Sequence, residues 1–252
     1  MEKGFVKLDK ENKIAEITFY HPKSNSLPSP LLKEMKNVFN ELSIDESINA
    51  VILKSSGQKA FCAGASFDEL LEINNFEDGK EFFMGFARLI NAMRKCEKII
   101  VGRIHGKVVG GGVGLAAACD YSFASGEASL RLSELAIGLG PFVVGPPIER
   151  KVGKEAFVEM SLDCQWRTAE WAKKNGFYHE VYDNINSLDE AIASFSKEIS
   201  DRNPEALKRL KKIFWEGTDH WDKLLEERAE YSGELVLSEH TKKFIQNFKS
   251  KS

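Results

Sequence analysis

Residues Gly106 to Asp120 read GKVVGGGVGLAAACD, with five glycines inside nine residues and a run of small residues after them. Glycine weakens any regular element, so this density marks a place where something lies against the main chain. The stretch follows KIIVGRI (Lys98–Ile104), which reads as a buried strand, and it leads into a helix of alanines. Such a junction leaves free N–H groups at the helix start, pointing at whatever sits there. Three ligands and one packing role compete for it. A phosphate loop fails on chemistry: Gly106 and Gly111 have the spacing, but Gly112 and Val113 stand where Lys and Ser/Thr would hold phosphate and magnesium. A dinucleotide fingerprint fits GVGLAA (Gly112–Ala117), with Glu134 twenty positions past Gly114, although such motifs usually open a fold. The third ligand is a carbonyl oxygen. The packing alternative is a helix of small residues pressed on its neighbours.

A second junction bears on the choice. AFCAGASF (Ala60–Phe67) also leaves a strand through small residues and enters a helix, DELLEI. Two such junctions can each supply one backbone N–H. Two N–H groups on one oxygen form an oxyanion hole, which stabilises charge developing on a thioester carbonyl.

The rest of the chain narrows the class. Its 252 residues suit one sizeable domain, or a core with a small appendage. Net charge is −3, which gives no electrostatic case for nucleic acid or an anionic membrane surface. No apolar run is fit for a signal peptide or long enough to cross a bilayer. Cys62, Cys96, Cys119 and Cys164 lack metal-type spacing, as do the histidines, so reduced thiols, no metal and a cytoplasmic location are expected.

Strand and helix patterns alternate early. Phe5–Asp9 and Ile14–Tyr20 read as strands split by KENK, and HPKSNSLPSP is a loop before a helix carrying Leu31, Leu32, Met35, Val38, Phe39 and Leu42. AVILK (Ala50–Lys54) is a buried strand. Phe82, Phe83, Phe86, Leu89, Ile90 and Met93 mark an amphipathic helix. Strand-like pieces recur at Tyr121–Ala124 and Ala128–Leu130. After about Pro141 the pattern is almost all helical: Ile148–Val152, Lys154–Leu162, Thr168–Asn175, Leu188–Ile199, Pro204–Phe214, Trp221–Tyr231 and Glu239–Phe248. This predicts an α/β core with a helical C-terminal part.

HPKSNSL, AFCAGASF, HGKVVGGGVGLAAACD and LSELAIGL together resemble the enoyl-CoA hydratase/isomerase (crotonase) superfamily in order and approximate spacing. The resemblance runs from about Phe5 to Phe248. It implies a spiral of ββα turns with a C-terminal helical region, divided as a core over residues 1–195 and a trimerisation region over 196–252. It implies a homotrimer or dimer of trimers acting on an acyl-CoA thioester, with coenzyme A part of the substrate and no separate cofactor. Carried over by position, the oxyanion donors are the N–H groups of Ala65 and Gly111. Ala63, Ser66, Phe67 and Gly110 line the CoA-thioester site, and Lys23, Asn25 and Leu27 contact CoA from the loop after the second strand. Phe248 and Lys249 are candidates to approach the adenine or its phosphates.

The carboxylates depart from the pattern. Two-glutamate hydratases carry G-G-G-x-E, and here Gly114 takes that glutamate's place; the second slot, SELAIGL, keeps Glu134. A single glutamate resembles Δ3,Δ2-enoyl-CoA isomerases and also hydratases of branched or carboxylated enoyl-CoAs, of the methylglutaconyl-CoA type. The expected activity is reversible hydration of a 2-enoyl-CoA, with Glu134 catalytic. Double-bond isomerisation, a non-catalytic acyl-CoA binder and a dinucleotide-binding protein are the alternatives. Asp68 and Glu69 read as first-turn helix acids, His105 as structural, and the four tryptophans as packing. Arg131 and Lys107 are the candidates to meet a substrate carboxylate.

Overall fold

A computed structural model describes residues 3–249, with side chains through Phe244. Phe248 and Lys249 therefore lie outside the residues whose side chains are described. The chain opens with a hairpin of β1 (Phe5–Glu11) and β2 (Ile14–Tyr20), in register from Phe5 opposite Tyr20 to Glu11 opposite Ile14. Asn12 and Lys13 turn it, both at positive φ (50° and 65°), the geometry whose twist matches antiparallel strands. In α1 (Ser29–Ile44), Pro30 sits in the first turn, where its missing N–H costs nothing, and Leu31, Leu32, Met35, Phe39 and Leu42 form the buried stripe.

One plan then repeats. β3 (Ala50–Ser55) is followed by β4 (Ala60–Cys62), β5 (Ile99–Ile104) by β6 (Lys107–Val109), and β7 (Tyr121–Ser125) by β8 (Ser129–Arg131). Helices lead away from each pair: α2 (Phe67–Glu72) and α3 (Phe76–Lys95), then α4 (Gly111–Ala117), then α5 (Gly145–Asp163). The first strand of each pair joins a six-stranded sheet and the second joins a four-stranded one. The larger sheet runs β1-β2-β3-β5-β7-β10 and the smaller β4-β6-β8-β9, closed by β10 (Glu180–Tyr182) and β9 (Arg167–Thr168). Apart from the hairpin and the β8–β9 pair, neighbouring strands are parallel. This is an α/β spiral of ββα turns, as expected.

The C-terminal part is less uniformly helical than its pattern predicts, because β9 and β10 lie within it. They are too short, two and three residues, to show a period. The expected break between helices near Val152 falls inside α5, where Gly153 adopts φ 78°, ψ 166°. The remaining helices are α6 (Ala169–Lys174), α7 (Ile185–Ser200), α8 (Pro204–Phe214), α9 (Trp221–Leu235) and α10 (Glu239–Lys249). Thr168, Asn184 and Asn203 start α6, α7 and α8 by accepting a hydrogen bond from an N–H of the first turn.

Most of the core forms one continuous cluster, with Phe19, Phe61 and Tyr178 among its fully buried side chains. A second cluster lies where Leu188 and Ile192 of α7 cover Ile52, Ile99, Val101 and Phe123. Residue 195, the boundary expected between core and trimerisation region, lies inside α7. α9 packs along α3: a β-carbon on Gly79 would lie 3.0 Å from the Gly233 Cα, and Lys80 bridges Glu226 and Glu230 at 2.8 and 2.7 Å. Trp215, Trp221, Leu225 and Val236 are buried within the chain itself, while Phe214, Ile213, Leu210 and Leu162 stay exposed. All four cysteines are free and buried.

Candidate active site

The two junctions that stand far apart in sequence meet in space. Leu27 N–H donates to the Gly64 carbonyl at 2.8 Å, and Leu27 bridges Ala65. A β-carbon on Gly64 would lie 2.9 Å from the Val109 carbonyl and 3.2 Å from the Gly111 nitrogen. The Ala63–Phe67 loop therefore lies directly against the start of α4. Gly111 is the first residue of α4, so its N–H has no carbonyl a turn behind it. Neither the Ala65 nor the Gly111 N–H donates to another backbone carbonyl outside the helices and ladders.

The glycines of the opening stretch divide into two roles. Gly110 has φ 53°, ψ −120°, a conformation side chains resist, and it turns the chain from β6 into α4. Gly112 and Gly114 face inward: a β-carbon would lie 2.5 Å from the Cys62 carbonyl at the first and 2.6 Å from the Val144 side chain at the second. Packing claims those two glycines, and GVGLAA has no room for a pyrophosphate. The dinucleotide alternative falls on this geometry.

A cavity of about 140 Å³ opens between the junctions. Ala63, Ala65, Ser66, Phe67, Gly110 and Gly111 line it, as does Glu134. A β-carbon on Gly110 would sit 3.3 Å from Glu134 Oε1. Glu134 closes the turn after β8 and precedes a 3-10 turn, Leu135–Ile137, that is stopped by Gly138 in the left-handed region (φ 88°). The residue is only half-buried, but its carboxyl is the buried end: Oε2 has neither exposed surface nor a hydrogen-bond partner. Burial pushes its pKa from 4.5 up to about 7, against a smaller downward pull from the backbone N–H groups of Glu134 and Ser133. Among the described residues it is the sole titratable side chain lining this cavity.

The other expected contacts lie behind or beside the cavity. Asn25 is buried, and its side chain is spent on the loop, accepting from His21 N–H at 2.9 Å and donating to the Ser56 and Ala60 carbonyls at 2.7 and 2.8 Å. Ser24 and Asn25 are both at positive φ, which this network fixes. Leu27 is fully buried. Lys23 is exposed and pairs with Asp68. Glu69 accepts from the Ser29 N–H and hydroxyl, so both acids of the first turn of α2 have structural partners. Gly114 does not line the cavity, because Val144 lies between.

His105 is buried with no partner for either ring nitrogen, and burial lowers its pKa to about 4, which fits a structural histidine. Lys107 and Arg131 flank the Trp166 ring at 5.4 and 5.9 Å, away from the cavity. Trp166 itself is 42% exposed and departs from the packing expected of it.

Sequence reasoning missed the aromatic wall. Phe82, Phe83 and Phe86 of α3 meet Phe142 across the cavity. The Phe86 ring presses on Gly111 so closely that a β-carbon there would lie 2.5 Å from it. Their helical spacing signalled a buried face of α3, but nothing local said what that face covers.

Backbone donors at two adjoining junctions, beside one buried carboxyl, can polarise a thioester carbonyl and move a proton at the adjacent carbons. The comparisons identify the family. The family model for enoyl-CoA hydratase/isomerase matches residues 9–252. A short-chain-enoyl-CoA hydratase of Clostridium acetobutylicum is 31% identical over 245 residues, covering 96% of this chain and 93% of its own. A mitochondrial Delta(3,5)-Delta(2,4)-dienoyl-CoA isomerase of Pongo abelii is 24% identical, covering 79% of this chain and 64% of its own. The crystal structure of an enoyl-CoA hydratase from Bacillus halodurans superposes with a TM-score of 0.89 at 22% identity, covering 96% and 99% of the two chains, which shows a shared fold. With both junctions, the lone glutamate and a match over nearly its whole length, the chain belongs to the enoyl-CoA hydratase/isomerase family, the crotonase superfamily.

Proposed function

We propose that this protein is an enzyme that reversibly hydrates a 2-enoyl-CoA, with Glu134 as its single acid–base group. The observation that carries the reading is the buried carboxyl of Glu134 beside Gly110, its Oε2 without a partner and its pKa near neutrality. At neutral pH about half of such a group is protonated. In its acid form one carboxyl oxygen delivers a proton to carbon 2, while the other accepts a proton from the water whose oxygen bonds to carbon 3. The carboxylic acid is regenerated in the same turnover, so one glutamate serves where two-glutamate hydratases divide the task. The N–H groups of Ala65 and Gly111 are the proposed donors to the thioester oxygen while negative charge develops on it.

One observation favours a second reading. No other titratable group lines the cavity among the described residues, and double-bond isomerisation needs only one base. There the carboxylate form takes a proton from carbon 2 and returns it at carbon 4. The two readings differ in which protonation state works. Hydration by the acid form falls as pH rises through about 7, and isomerisation by the carboxylate rises across the same range. Product analysis and kcat/KM against pH on a 2-enoyl-CoA and a 3-enoyl-CoA decide between them. Replacement Glu134→Gln lowers turnover by about a hundredfold to ten-thousandfold and leaves acyl-CoA binding nearly intact. Undiminished turnover in that variant refutes both readings, and intact binding with no turnover of any enoyl-CoA by the unaltered protein leaves a binder.

The C-terminal helices are the proposed assembly surface. Leu210, Ile213 and Phe214, on one face of α8, stay exposed after the chain has folded, and contiguous exposed apolar side chains mark interfaces. A trimer or hexamer is expected by light scattering at micromolar concentration, and a monomer there refutes it.

A further inference from the structure

The cavity beside Glu134 is short, apolar and without a cation. Its volume of about 140 Å³ is close to that of an engineered apolar cavity of about 150 Å³ that holds one benzene ring. That leaves room for an acyl group of about six carbon atoms, its thioester carbonyl included. Five phenylalanines stand on the wall: Phe67, Phe82, Phe83, Phe86 and Phe142. Phe82 and Phe83 meet edge to face at 5.0 Å, Phe86 presses on Gly111, and Phe142 folds over Gly140, where a β-carbon would lie 2.4 Å from its ring. Apart from Glu134, the polar side chains on the wall are the hydroxyls of Ser66, Ser133 and Ser232.

No Lys, Arg or His lines the cavity among the described residues. Arg228, behind the wall, donates to the Phe142 carbonyl at 3.2 Å, and Arg131, away from the cavity beside Trp166, donates to the Cys164 carbonyl at 2.7 Å. A second carboxylate on the acyl group would lose its water here, gain no counter-charge, and share the space with Glu134. An uncompensated buried charge is among the most unfavourable changes a site can suffer.

We propose that the site selects short, uncharged acyl groups of about four to six carbons, rejects acyl groups that carry a second carboxylate, and that Phe142 sets the length limit. The proposal rests on the acyl-CoA reading above. Phe142 is singled out by its support. Phe82 and Phe86 are buried on α3 within core clusters. Phe142 is carried by the loop before α5 and is backed at 6.0 Å by Tyr231, an exposed ring on α9. Removing its ring lengthens the cavity toward α9 without hollowing the core. A carboxylated substrate of the methylglutaconyl kind is disfavoured by the same wall.

The test is calorimetric titration of CoA, butanoyl-, hexanoyl-, decanoyl- and glutaryl-CoA into the unaltered protein and into Phe142→Ala. Saturated thioesters do not react, so binding is read apart from catalysis. The expected result is that butanoyl- and hexanoyl-CoA bind about tenfold or more tighter than CoA, as burial of a few methylenes provides. Decanoyl- and glutaryl-CoA bind no tighter than CoA. In Phe142→Ala, decanoyl-CoA gains about tenfold or more and glutaryl-CoA does not. Glutaryl-CoA binding as tightly as butanoyl-CoA, or decanoyl-CoA binding more tightly than hexanoyl-CoA to the unaltered protein, overturns the selectivity. An unchanged series in Phe142→Ala overturns the role of Phe142, and Phe142→Leu serves if the alanine variant does not fold. If neither CoA nor any thioester binds the folded protein, the acyl-CoA reading falls as well.

Discussion

A β-carbon placed on Gly114 would lie 2.6 Å from both Cβ and Cγ1 of Val144. The position that the family resemblance sets against the first glutamate of two-glutamate hydratases is therefore crowded by a valine that itself lines the cavity. The exchange is a steric commitment, because real β-carbons do not approach that closely. Gly114→Glu alone is expected to destabilise the protein by about 1–3 kcal/mol, as overpacking does, without raising hydration. Gly114→Glu combined with Val144→Gly opens the space. Urea denaturation and enoyl-CoA hydration assays of the single and paired variants check this, and a stable single variant with raised hydration contradicts it.

Ala65, one of the two proposed oxyanion donors, is tested by deleting its backbone N–H. Ala65→Pro removes one N–H from the loop that Leu27 anchors at Gly64. Loss of one oxyanion donor costs about a hundredfold to a thousandfold in kcat. The expected signature is a fall in kcat with butanoyl-CoA binding retained. Full activity in a folded variant removes Ala65 from the oxyanion hole.

Much of this was legible along the chain, and what was missed has a physical pattern. Helices α1, α3, α7 and α8 announce themselves by periodic apolar residues, although α7 begins at Ile185 behind its cap Asn184, three residues before the expected Leu188. The two junctions were visible as compositions because close backbone approach demands small residues wherever it occurs. β9 and β10 were missed because strands of two or three residues exist only through their partners. The contact between Gly114 and Val144 joins positions on different elements, and so does the ring of Phe82, Phe83, Phe86 and Phe142. Nothing local encodes either. Lys23, Asn25 and Leu27 were legible as a special loop, yet whether a side chain faces a ligand or its own backbone is settled only by packing. For Asn25 three backbone partners take the side chain.

Asp120 and Lys211 form a buried ion pair at 2.5 Å, with both side chains almost wholly inaccessible. The Asp120 carboxylate also accepts from Trp215 Nε1 and from the Ile100 N–H, both at 2.8 Å. These bonds fasten α8 to the strand β5 and to the end of α4. Removing one partner strands the other charge, so Lys211→Met should cost about 3–5 kcal/mol. The double variant Asp120→Asn with Lys211→Met should recover part of that loss. A double-mutant cycle by urea denaturation measures the coupling, and additive losses would show that the pair contributes little beyond its separate contacts.

Glu134 also leaves a mark on stability. Its pKa is raised by burial from 4.5 in the unfolded chain to about 7 in the folded one. Between those values the folded state holds more protons than the unfolded state, so stability falls as pH rises. The contribution is fully present below pH 4.5 and is lost by the time pH passes about 7. The shift corresponds to roughly 3 kcal/mol at most. Surface carboxylates such as Asp163, held low by Arg167, act in the opposite sense at lower pH. The difference between the unaltered protein and Glu134→Gln removes that background. Relative to the unaltered protein, Glu134→Gln should therefore become more stable by up to roughly 3 kcal/mol as pH is raised from 4 to 8. Urea denaturation of both proteins across that range gives the difference directly. Parallel stability profiles would mean that the carboxyl is hydrated in solution, and acid–base chemistry from a dry, half-protonated Glu134 would lose its basis.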